Sequence, residues 1–139
     1  MSAMSEKTGQ ALSALLAKLE AATGPSRELD AKIALAVGWR ERDGMFGREW
    51  ISPAHRMAEL PFFTKSLDAA MTLVPPTHFY LLIFGCKADG YTCSLGGDEL
   101  RGEGIIHYAD PAVLKAHAKT EPLALCIAAV RARLAGQKE

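Results

Sequence analysis

The sequence predicts an α+β fold, a mainly antiparallel sheet of three or four strands carrying helices on both faces, formed as one domain over residues 1–139. Three observations lead there. Thr120 to Leu134, TEPLALCIAAVRARL, is apolar nearly all the way round an ideal helix. Leu123, Cys126, Ile127, Val130 and Leu134 make one stripe, Leu125, Ala128, Ala129 and Ala132 lie opposite, and no charge falls between Glu121 and Arg131. Phe79 to Phe84, FYLLIF, is continuously rather than alternately apolar, as a central strand covered on both faces would be. Helix-period segments stand at both ends of the chain with the strand-like segments between them.

The first helix is expected from about Ser5 to Ala22, with Leu12, Leu15, Leu16 and Leu19 on one face and Gly24-Pro25 ending it. Ser26 caps a second helix whose inward stripe is Leu29, Ile33, Ala36 and Val37, and Gly38 stops it; the two form a helical hairpin over about residues 5–38. From Trp39 to Pro61 the period is lost. Met45 to Ile51 reads as an edge strand and the remainder as loop, with Gly44, Gly47 and Pro53 as breakers. Ser66 or Thr64 caps a third, short helix within 64–74, where Leu67, Ala70, Met71 and Val74 repeat the helical spacing before Pro75-Pro76.

The strands are expected over 78–108. Asp89-Gly90 is a strong turn signal between FYLLIF and a returning strand in which Tyr91, Cys93 and Leu95 alternate. A polar turn from Gly96 to Gly104 leads to a third strand, Ile105 to Tyr108, and Asp110-Pro111 opens a brief helical turn containing Val113 and Leu114. The last helix, 120–135, has Thr120 as N-cap and Pro122 in its first turn, with Arg131 and Arg133 where a helix C-terminus favours cations. Its alanine face should meet another helix of this chain or of a second copy, so Leu125, Ala128, Ala129 and Ala132 are the candidate homodimer interface; alanine that simply tolerates water is the alternative.

Sixteen basic and sixteen acidic residues cancel, which removes the broad positive field of a nonspecific nucleic-acid binder. The N-terminus lacks a signal-peptide pattern, and no apolar stretch approaches the roughly 18 residues of a membrane span. Three cysteines without a CxxC pair point to reduced thiols and a cytoplasmic setting.

Three blocks carry a family resemblance: GPSRELDAKIALAVGW at 24–39, PFFTKSLDAAMTLVP at 61–75 and PLALCIAAVRAR at 122–133. In this order they resemble the phage ABA sandwich domain of bacteriophage and prophage proteins. The resemblance implies α/β/α layering, an α/β/α sandwich. It extends to nothing between Tyr80 and Lys119 and implies no activity and no catalytic residue.

No motif for chemistry stands out. His55, His78, His107 and His117 lack HxxxH or HxH spacing and the cysteines add no zinc pattern, so neither metal nor cofactor is expected. There is no GxSxG elbow and no phosphate loop, and Asp43, Asp89, Asp98, Glu99 and Glu103 read as solvated loop carboxylates. The distinctive surface is WRERDGMFGREWISPAHR, 39–56, where Trp39, Arg40, Arg42, Arg48, Trp50 and Arg56 join residue types enriched at binding hot spots. Glu41, Asp43 and Glu49 nearly neutralise it. The competing reading puts both tryptophans against the core and leaves the arginines wet. The leading expectation is a non-enzymatic phage or prophage accessory protein that binds an unidentified host or phage protein, an inhibitor of host defence such as an anti-CRISPR being the specific form. A nucleic-acid binder using 39–56 and a hydrolase with a dispersed site are the alternatives.

Overall fold

The computed structural model describes residues 3–45, 47–75, 80–96 and 113–137. They form an α+β fold of helices α1 (Ala3–Ala21), α2 (Arg27–Ala36), α3 (Leu67–Met71) and α4 (Glu121–Gln137), with strands β1 (Arg40–Gly44), β2 (Gly47–Ile51), β3 (Tyr80–Cys86), β4 (Gly90–Gly96) and β5 (Val113–Ala118). β1 and β2 are an antiparallel hairpin on their own; β3, β4 and β5 form a second antiparallel sheet with β4 in the middle.

Local chemistry sets the helix boundaries. Ser26, in extended backbone, accepts the Leu29 N–H at 3.3 Å, and Ser66 does the same for Ala69 at 3.3 Å, each cap contributing about 1 kcal/mol. α2 closes with the Trp39 N–H donating to the Ala34 carbonyl at 2.9 Å across Gly38, whose φ of 106° only glycine adopts without strain. Thr120 caps α4 by accepting the Leu123 N–H at 3.3 Å.

α4 is the centre of the molecule. Every residue from Leu123 to Val130 is buried, as is Ala132, with β4 and β5 packed on it from the sheet side and α1 and α3 from the helical side. The apolar circumference therefore has an occupant on each flank. The alanine face is one of them, so Leu125, Ala128, Ala129 and Ala132 are corrected from a subunit interface to intrachain packing. Leu12, Leu15 and Leu19 of α1, Leu29 and Ile33 of α2, Phe63, Leu73, Cys93, Leu95 and Ala116 complete the core.

Four further expectations need correction. Within the described sheet β3, the FYLLIF strand, is an edge strand rather than the central one: among the described residues it pairs with β4 alone, and Phe84 keeps 46% of its surface exposed. Val113 and Leu114 belong to β5 rather than to a helical turn, because β4 offers Gly96 and Leu95 as ladder partners. The backbone of 40–44 is a strand and not a loop. Because α4 runs on to Gln137, Arg131 and Arg133 fall short of its last turn; Arg131 donates to the Lys115 carbonyl and pairs with Glu20, and Arg133 donates to the Leu73 carbonyl at 3.0 Å. The expected strand Ile105 to Tyr108 lies outside the described residues.

Candidate interaction surface

Antiparallel pairing decides what the 39–56 segment presents. Arg40 stands opposite Ile51 and Arg42 opposite Glu49, while Glu41 faces Trp50 and Asp43 faces Arg48. Opposed residues share a face and neighbours alternate, so Trp39, Glu41, Asp43, Arg48 and Trp50 fall on one side and Arg40, Arg42, Glu49 and Ile51 on the other. Trp39 and Trp50 are half-buried and pack on the core. Near the two tryptophans their side is the one turned to the body, whereas Asp43 and Arg48, closer to the hairpin tip, are exposed on that same side and Arg40 and Arg42 are exposed on the other.

The arginines are not bare charges. Arg42 Nε donates to Glu49 Oε2 at 3.0 Å directly across the hairpin, and Arg48 donates to Glu41 Oε2 at 2.7 Å on the diagonal. The adjacent Glu41 and Asp43 also raise the Arg48 pKa, through the Glu41 hydrogen bond first. Arg40 donates to His55 Nδ1 at 3.4 Å, and the Arg56 side chain is exposed. Exposed pairs of this kind contribute about 0–1 kcal/mol, so they orient side chains more than they stabilise the fold.

After β2 the chain turns at Ser52–Arg56, with His55 at φ 63°, and comes back along β2: Met57 bridges Ile51, and the Ala58 N–H donates to the Trp50 carbonyl at 3.1 Å. One edge of β2 is thereby covered. The return also brings His55 and Met57 beside Arg40, Glu41, Arg42 and Ile51 around a depression of about 340 Å³. Met57 is 63% exposed there and Met45, at the hairpin tip, 89%. Ile51 and His55 fall inside the expected 39–56 segment but not among its six named residues, and Met57 lies just beyond it; the Ser52-Pro53 turn signal hints at the reversal, but only the fold shows where it returns.

Elsewhere, reactive groups are already engaged. Asp30 is buried: Oδ1 accepts from both the N–H and the hydroxyl of Thr64 at 2.8 Å, and Oδ2 accepts from Arg27 at 3.0 Å. Arg27 also reaches the Leu60 and Pro61 carbonyls and lies 3.9 Å over the Phe62 ring. This network ties α2 to the segment before α3. Burial pushes the Cys93 thiol up to about 12 and moves Cys126, which donates to the Phe63 carbonyl, in the same direction. Neither is a ready nucleophile. Cys86 is exposed beside Asp89, with His117 across the sheet at the same end. His117 Nε2 lies 2.9 Å from the Asp89 carbonyl and so must donate to it, while Nδ1 meets the Thr92 hydroxyl at 2.9 Å. Both nitrogens of the His117 ring are thus engaged in hydrogen bonds of the sheet end. Among the described residues no group of three His, Cys, Asp or Glu side chains is placed to hold a metal, and no helix is long and apolar enough to cross a membrane.

Searches of protein families, of curated proteins and of solved structures found no match for this chain.

Proposed function

We propose that the protein acts by binding another protein through the outward face of the β1–β2 hairpin, without catalysis of its own. One observation carries this reading: the hairpin is a sheet apart from the main one, and its solvent side joins charges already paired across strands to the exposed Met57 and the half-buried Ile51. A mixed surface of flat apolar patches inside a rim of oriented charges is typical of protein interfaces. The Arg–Glu pairing argues against nucleic acid, since an arginine that already holds a carboxylate releases few counterions on meeting a phosphate. The phage or prophage setting, a cytoplasmic site of action in the bacterial host and inhibition of a host defence system complete the proposal; they rest on the resemblance of the 24–39, 61–75 and 122–133 blocks.

The test is affinity capture from bacterial host lysate with wild type and an Arg42→Ala, Met57→Ala variant, both positions being exposed enough to change without disturbing the core. A partner held by wild type and lost by the variant supports the hairpin. Identical partner lists, or duplex or single-stranded DNA bound with a steep salt dependence, would overturn it.

A further inference from the structure

Four connections of the chain meet where β3 and β5 end and α4 begins. Thr23 follows α1, Lys65 precedes α3, Lys87 lies in the β3–β4 turn, and Lys119 joins β5 to α4. With Tyr91 and Glu121 they line an open depression of about 580 Å³. Three lysines line it from three separate segments, and among the described residues none of them forms an ion pair. Lys65 is 6.0 Å from the Phe62 ring, a contact that leaves its hydrogen-bond donors available. Glu121 is the single carboxylate of the lining.

The start of α4 adds little. Thr120 takes the Leu123 N–H, Ala124 donates to the Thr120 carbonyl, and Pro122 has no N–H, which leaves the Glu121 amide alone. The lysines supply the charge. In a chain of zero net charge, three lysines lining one hollow make it locally positive, which favours an anion seated among them. Leu67, Tyr91 and Pro122 give the same hollow an apolar wall, suited to the body of an organic anion rather than to a bare ion.

We propose that this depression binds a small phosphorylated molecule carrying at least two negative charges, held by Lys65, Lys87 and Lys119. Nothing in the hairpin proposal depends on it. The experiment is calorimetric titration with inorganic pyrophosphate at low ionic strength, using wild type, Lys87→Gln/Lys119→Gln and, as a control on an exposed lysine outside the depression, Lys18→Gln. Saturable binding of one pyrophosphate per chain is expected, weakened at least tenfold in the double variant and unchanged in Lys18→Gln. Amide NMR shifts of wild type during the same titration should move at Lys87, Lys119 and Glu121, a readout independent of how the variants fold. Absence of saturable binding, binding that the double variant retains, or shifts confined to other parts of the chain would each overturn the proposal.

Discussion

Asp30 shows what a single residue contributes here. Its carboxylate is buried and takes three hydrogen bonds, two from Thr64, 34 residues away in sequence, and one from Arg27 in the same helix. Removing the carboxylate strands the buried Thr64 N–H, whereas the half-exposed Arg27 keeps the Leu60 and Pro61 carbonyls. Asp30→Ala is therefore expected to lose about 1–3 kcal/mol in urea unfolding, at least as much as the roughly 1 kcal/mol of a lost cap such as Ser66→Ala. The thiols give a second residue-scale prediction. Cys86 should react with a thiol reagent in the native protein, and Cys93 and Cys126 only on unfolding. For Cys93 the folded pKa, about 12, stands above the ordinary 9.0, so between those values the native state keeps a proton that the unfolded chain has released. Its contribution to stability is complete below pH 9 and is lost as the pH rises through that interval, at up to about 1.4 kcal/mol per unit. Unfolding midpoints of Cys93→Ala should fall less steeply than wild type above pH 9.

At the scale of elements, α4 and the β1–β2 hairpin are opposites. α4 was legible because its apolar circumference has one physical solution, burial on all sides; the partner on the alanine face was not, because a helix of this chain and a second copy leave the same mark on the sequence. Ala128→Leu should cost about 1–3 kcal/mol through overpacking, with thermal unfolding as the measurement. β1 was illegible for the contrary reason: RERDG has no apolar alternation, and its strand is held by ladder bonds and cross-strand ion pairs fixed only by register. A double-mutant cycle on Arg42 and Glu49 is expected to give a coupling of about 1 kcal/mol or less that declines with salt. β5 was misread because Asp110-Pro111 looks like a helix start. Its own pattern, Ala116 and Ala118 against the core alternating with Lys115 and His117, is too weakly apolar to announce a strand.

For the whole molecule, the class was readable from helix-period segments at both ends of the chain with strand-like segments between them, whereas which element packs on which depended on contacts between distant parts of the chain, such as Arg131 with Glu20. The candidate surface was half readable. Clustering of tryptophan and arginine is visible in one dimension, but which side each occupies follows from hairpin pairing, and the lysines of the sheet-end depression are scattered over 65–119. Hydrogen exchange should reflect the same hierarchy, slowest at the amides of 123–130 and in β4, fastest in β1 and β2. The position of α4 also sets a schedule. Of the described elements it is the last to be synthesised, yet α1, α3 and two strands of the main sheet converge on it. A nascent chain emerging from the ribosome must hold those surfaces open until Glu121–Gln137 arrives, so consolidation of the fold falls at the end of translation of this region rather than advancing with it.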